Sequence, residues 1–232
     1  MYLLKGKAKL AKMTLGWFLI SGLLISNAFA LETSKADLTQ TVSTLNADFA
    51  TIIPRNETKE TIQWYTRFGS GVINGYLRDQ SELNEETLED ICKLDRAFKT
   101  IPVRKVTTMT LYRGHDYLPQ GADQVGYKFR DNAYTSTSLS QKVAMKFAMQ
   151  GYIETRVLDI IEVDTRVIPA VWVNIFSAWD EQEFEVLLNR GVQFEVIDVK
   201  VKKEKGTTLT VRTLKALQIQ RDSKLERTLN CH

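Results

Sequence analysis

The stretch Glu181–Gly191, "EQEFEVLLNRG", decides how this chain is to be read. As a strand, its period of two puts Glu181, Glu183 and Glu185 on one face, and Phe184, Val186 and Leu188 on the other. Glutamate is a poor strand former, and three on one face repel one another. A half-buried strand with a charged solvent face explains the alternation without any chemistry. What else these residues could do depends on the rest of the chain.

The neighbourhood is rich in short strands. After Pro102, "VTTMTLYRG", "YKFRDNAYTSTS", "RVLDIIEVD", "AVWVNIF", "EFEVLL", "QFEVIDVKV" and "TTLTVRTLKAL" carry many β-branched and aromatic residues and read as strands. One helix, "SQKVAMKFAMQ", separates the second from the third, with Ser140 as its N-cap. Residues 36–100 read differently. "ADLTQTVSTLNADFATI", "ETIQWYTRFGSGVINGYLRD" and "NEETLEDICKLDRAFKTI" place apolar residues at spacings of three and four. In the last, Leu88, Ile91, Leu94 and Phe98 form the stripe, and acidic residues fill the first turn. Gly69, Gly71 and Gly75 mark a helix break or a close packing contact. They are no dinucleotide fingerprint, since no strand precedes them. Helices first and strands afterwards predict an α+β fold, with helices packed on an antiparallel or mixed sheet system.

The first thirty residues stand apart. Lys5, Lys7, Lys9 and Lys12 precede an apolar run from Met13 to Ile25, and "NAFA" closes it with Ala28 and Ala30. That is the layout of a secretory signal peptide over residues 1–30, with cleavage expected after Ala30. The run is shorter than the roughly 20 residues a membrane span needs, so no stable span is expected after cleavage. The whole chain has 31 Lys plus Arg against 28 Asp plus Glu; without the four leading lysines the count is 27 against 28. No global positive field then remains to attract nucleic acid. The run "KVKKEKG", Lys200–Gly206, reads as a solvated strand end or turn. Cys92 and Cys231 are the only cysteines, and in an oxidising compartment such a pair favours a disulfide.

His115 and His232 are the only histidines, which argues against a His-based triad and a typical zinc hydrolase site. No Gly-Lys-Ser/Thr of a P-loop is present. The chemistry is left to carboxylates, hydroxyls and arginines. Three candidates lie at strand ends: Arg113, closing "LYRG" before a turn at Gly114; Ser136, Thr137 and Ser138 of "YTSTSLS"; and the glutamate strand. Singly, each has a plain reading, as an ion-pair arginine, a helix cap and a charged strand face.

In this order they resemble the R-S-E class of mono-ADP-ribosyltransferases, among them the bacterial exoenzyme toxins typified by the enzymatic components of clostridial binary toxins. The likeness extends to "QWYTRFGSGVINGYLR", "ICKLDRAFKTIPV" and "EFEVLLNRGVQFEV", and so runs from about residue 50 to 200. It implies N-terminal helices on a two-sheet mixed or antiparallel core, in a single domain over 31–232 that is helical to residue 100 and β-rich from 101. It implies NAD⁺ as co-substrate and no metal. Arg113 matches the arginine that holds the NAD⁺ pyrophosphate, with Gly114 beside it. Ser136 matches the serine that holds the catalytic glutamate and supports the nicotinamide pocket, and Thr137 and Ser138 fix the turn. Glu185 matches the glutamate that binds the ribose 2′-OH and stabilises oxocarbenium-like charge. Glu183, two residues earlier on the same strand face, matches the residue that engages the acceptor, and E-x-E implies arginine. The loop "VNIFSAWDEQ" matches a substrate-recognition loop, with Trp179 one place away from the position of the family's usual aromatic. Tyr134 and Phe147 read as core aromatics, with the nicotinamide site as the other reading.

The resemblance therefore implies a secreted, toxin-like enzyme that moves ADP-ribose to an arginine of a host protein. Actin is an acceptor by analogy, and a separate binding or translocation component is an open partner. A glycohydrolase with water as acceptor keeps the same fold. A catalytically silent binding module would have no chemical need for Arg113, Ser136, Glu183 and Glu185 together.

Overall fold

The computed structural model describes residues 35–52, 56–79, 85–150, 155–174, 176, 183–204, 207–229 and 231. Residues 1–30, expected from sequence to be a signal peptide, and Glu181 and Trp179 lie outside the described residues.

Four helical segments come first: α1 Lys35–Ala50, α2 Asn56–Trp64, α3 Ser70–Asp79 and α4 Glu85–Thr100. A π turn, Tyr65–Gly69, joins α2 to α3 without a break. Gly69 is the close contact there, since a Cβ on it would lie 2.1 Å from the Trp64 ring. Helix α4 carries Glu85 and Glu86 in its first turn and Lys99 in its last, the arrangement the helix dipole favours. Its Ile91, Leu94 and Phe98 are buried as the spacing predicts.

Eight strands follow: β1 Thr108–His115, β2 Lys128–Asp131, β3 Thr135–Ser138, β4 Thr155–Asp164, β5 Ala170–Trp172, β6 Glu185–Leu188, β7 Val192–Glu204 and β8 Thr207–Ile219. Their order is β2-β7-β8-β4-β1-β3-β6-β5. Only β4 and β8 run parallel among the strand pairs described. The expected two sheets take the form of a five-strand and a three-strand section, joined through the single pair Tyr112↔Ser138. "YKFRDNAYTSTS" is two strands, not one. Asp131 turns the chain by accepting the Ala133 N–H, so β2 pairs β7 at one end while β3 pairs β6.

Helix α5, Gln141–Gln150, begins at Ser140, whose Oγ accepts the Val143 N–H at 3.4 Å. It lies against β1 at Gly114. That residue belongs to the strand, which continues to His115, and is not in a turn. Its missing side chain is what matters: a Cβ would sit 1.8 Å from the Ala144 carbonyl oxygen. The main core gathers Leu45 and Phe49 of α1, Ile62, Ile73 and Leu77 of the next helices, and Trp172, Val186 and Leu188 of the smaller sheet section.

A short C-terminal helix, α6 Ser223–Leu229, closes the chain. Asp222 caps it by accepting the Lys224 and Leu225 amides. Leu225 and Leu229 are buried, and Glu226 pairs with Arg190, which also forks onto Asp95 of α4. Cys92 of α4 and Cys231 are bridged, with their Cα atoms 5.2 Å apart.

Candidate active site

Strand β3 carries "TSTS", and each hydroxyl of Ser136, Thr137 and Ser138 donates to the segment that ends in β6. The Ser136 hydroxyl donates to Glu185 Oε1 at 2.6 Å. Thr137 Oγ1 donates to the Val186 carbonyl, and Ser138 Oγ to the Glu183 carbonyl, both at 2.6 Å. Ser138 also accepts the Ser140 N–H at 3.0 Å, linking the site to the start of α5. The three residues thus have separate tasks: one holds a carboxylate, and two hold backbone.

Glu185 is the first residue of β6, opposite Ser138. Its carboxyl is pushed up to about 7, chiefly by desolvation, with the nearby Glu183 charge adding and the Ser136 bond opposing. The two carboxylates are therefore close enough to repel. Glu183, however, is not on the strand. The alternation from Glu181 is broken at Phe184, whose φ of 49° is left-handed, so the ladder stops at Glu185. The expectation of one continuous glutamate face is corrected accordingly. Proximity of Glu183 to Glu185 survives, but strand periodicity is not its cause.

Arg113 is half-buried on β1, and its Nη1 donates to Asp131 Oδ2 at 3.2 Å. Arg78 of α3 forks onto the same carboxylate, at 3.1 and 2.9 Å. Burial alone would raise Asp131, but Arg113, Arg78 and the Ala133 N–H hold it below the usual carboxylate range. Two guanidiniums on one carboxylate leave local positive charge. Beneath them, buried Tyr65 of the π turn accepts a hydrogen bond from Asn74 Nδ2 at 2.9 Å. Its hydroxyl is raised by burial first, with the Asn74 bond opposing, and the fields of Glu185, Arg113 and Arg78 all reach it. Asn74 Oδ1 is buried there without a hydrogen-bond partner. An orphaned acceptor beside paired guanidiniums suits a ligand carrying both hydroxyl or amide donors and an anionic group.

Arg78, Asp131, Tyr65 and Asn74 were not singled out by sequence. Asn74 and Arg78 lie four apart on α3, on one helix face, and that spacing was the available signal. Tyr134 is a core residue: fully buried, it stacks on Phe98 and donates to Asp95 at 2.7 Å. Phe147 is not core, being exposed on α5. Among the described residues, no group of three His, Cys, Asp or Glu is placed to hold a metal ion.

A helical layer on a split mixed sheet, with arginine, serine and glutamate converging at the split, defines an ADP-ribosyltransferase architecture. A sequence profile of the ADP-ribosyltransferase exoenzyme family matches residues 35–218. The chain belongs to that family. Solved structures agree on the fold. Plx2a, an ADP-ribosyltransferase toxin from Paenibacillus larvae, is 19% identical with a TM-score of 0.60, over 79% of this chain and 96% of its own. Exoenzyme S from Pseudomonas aeruginosa, solved with human 14-3-3 protein beta and carba-NAD, is 19% identical with a TM-score of 0.59, over 85% of this chain and 92% of its own. ADP-ribosyltransferase Vis, solved with agmatine, is 18% identical with a TM-score of 0.59, over 81% of this chain and 89% of its own. A search of curated protein sequences finds no match.

Proposed function

We propose that this mono-ADP-ribosyltransferase is secreted and moves ADP-ribose from NAD⁺ to an arginine side chain of a host protein. The 2.6 Å bond from Ser136 to Glu185, with Glu183 beside it, is the observation that carries the reading. Arg113 and Arg78 suit the pyrophosphate, since a guanidinium fork matches phosphate geometry. Asn74 Oδ1 suits a donor on the nicotinamide half. Ser136 holds the Glu185 carboxylate where it can accept the ribose 2′-OH as the nicotinamide bond breaks and positive charge builds on the sugar. Glu183 engages the incoming guanidinium and takes the proton that nitrogen loses on forming its bond to C1′. Support for the donor comes from the carba-NAD bound to Exoenzyme S, and for the acceptor from the agmatine bound to Vis. The signal-peptide layout of residues 1–30 supports secretion. Actin remains a host acceptor by analogy only.

The test is NAD⁺ turnover by residues 31–232 with and without agmatine, following nicotinamide and ADP-ribosyl-agmatine. Replacing Glu185 by Gln should lower both products by about 10²–10³. Replacing Glu183 by Gln should abolish transfer while nicotinamide release survives better. Hydrolysis by the wild type with no transfer to agmatine or lysate protein identifies a glycohydrolase. A folded protein that turns over no NAD⁺ leaves only the silent module.

A further inference from the structure

Phe184 is the one non-glycine residue with positive φ among the described residues. A bulky aromatic residue disfavours that conformation, so it persists only where its surroundings over-determine it. Three hydrogen bonds do so here. The Glu183 carbonyl accepts from Ser138 Oγ at 2.6 Å, and the Phe184 carbonyl accepts the Leu139 N–H at 3.1 Å. Both come from the end of β3, the strand whose Ser136 already holds Glu185. The third bond comes from the opposite side: the Phe184 N–H donates to Asn174 Oδ1, also at 3.1 Å. Asn174 lies two residues past β5.

The left-handed step has a geometric effect. It ends the β3–β6 ladder at Ser138↔Glu185, so the pleat that orients Glu185 does not orient Glu183. What orients Glu183 is the pair of peptide groups flanking Phe184. Without the Asn174 bond, Phe184 would relax toward ordinary extended backbone and turn Glu183 relative to Glu185. Glu185, paired in the sheet and held by Ser136, would stay.

We propose that Asn174 is a positioning residue that decides between acceptors: by pinning the Phe184 amide it sets Glu183 for a guanidinium, and so favours transfer over hydrolysis. This rests on the reading of Glu183 as the acceptor group. The donor half is common to both outcomes. The bond from ribose C1′ to nicotinamide breaks, and its electron pair leaves on the pyridine nitrogen. In transfer, a guanidinium nitrogen bonds C1′ and gives a proton to Glu183; in hydrolysis, a water oxygen bonds C1′ and its proton passes to bulk water, so Glu183 need not be in register.

The experiment measures the ratio of ADP-ribosyl-agmatine to total nicotinamide released, for wild type and variants confirmed folded by thermal melting. Asn174→Ala should lower the ratio by about tenfold to a hundredfold, the scale of an ångström-level misplacement, with nicotinamide release little changed. Asn174→Asp, which keeps an acceptor oxygen, should recover most of it. Phe184→Gly should hold the ratio, because glycine enters positive φ freely. Phe184→Val, branched and disfavoured there, should lower it with Asn174 intact, which keeps the test open should Asn174→Ala not fold. An unchanged ratio in both Asn174→Ala and Phe184→Val overturns the inference, as does a parallel fall of both products that tracks the folded fraction. A wild type that hydrolyses NAD⁺ but modifies no agmatine overturns the reading of Glu183 itself, a result distinct from these.

Discussion

At the scale of single residues, the proposed chemistry turns on Glu185, whose proton the fold holds more tightly than the unfolded chain does. In the role proposed for it, the carboxylate must be ionised to stabilise the ribose cation, and its folded value is about 7. NAD⁺ turnover should therefore fall about tenfold per pH unit below that value, measured as kcat/KM under conditions where the protein stays folded. The same shift has a sign for stability. A raised carboxyl favours the folded state as pH falls from 7 toward the unfolded value, and costs stability above it. Glu185→Gln should thus stabilise the protein at pH 8 by on the order of 1–3 kcal/mol, allowing for the group's partial exposure, and change little near pH 4. Urea unfolding at the two pH values reads the difference. Equal effects at both would show that Glu185 is not strained. Arg78 and Asp131 could not be read from sequence, because the two lie 53 positions apart and meet only once the sheet is formed. Phe184 was equally silent. Left-handed positions announce themselves when glycine or asparagine occupies them, and phenylalanine does not.

Elements were more legible than their junctions. Helix α4 shows its stripe and its dipole-matched ends in sequence, and it forms as read. The break between β2 and β3 was hidden because Asp131–Tyr134 does not interrupt the alternation strongly; the turn is made by a side chain, not by glycine or proline. Helix α6 was missed for a different reason. Seven residues with Leu225 and Leu229 as their apolar contacts make a marginal helix, and its stability comes from docking rather than propensity. Gly114 sits at another junction, where α5 crosses β1. Gly114→Ala would press a methyl into the α5 backbone and force strand and helix apart. We expect a loss of about 1–3 kcal/mol in urea unfolding, with a larger fractional loss of NAD⁺ turnover because Arg113 is the adjacent residue. Stability held at the wild-type value would mean that the crossing is looser than this contact.

At the scale of the whole molecule, the Cys92–Cys231 bond closes a loop with a sequence separation of 139, from α4 to the chain end. Cys231→Ser should cost about 2–5 kcal/mol, and a reductant should lower the wild-type melting temperature while leaving the variant unmoved. A reductant that shifts both equally would place the effect elsewhere. The same seam is held a second time, by buried Arg190 between Asp95 and Glu226, with Arg221 on both carboxylates. The two fastenings answer to different conditions. One opens to thiols, which are scarce outside cells and abundant in cytosol; the other ignores thiols and, being largely enclosed, is little weakened by salt. A change from oxidising to reducing surroundings would therefore remove only one of them, and the tail would keep its place on α4 with the bond already gone.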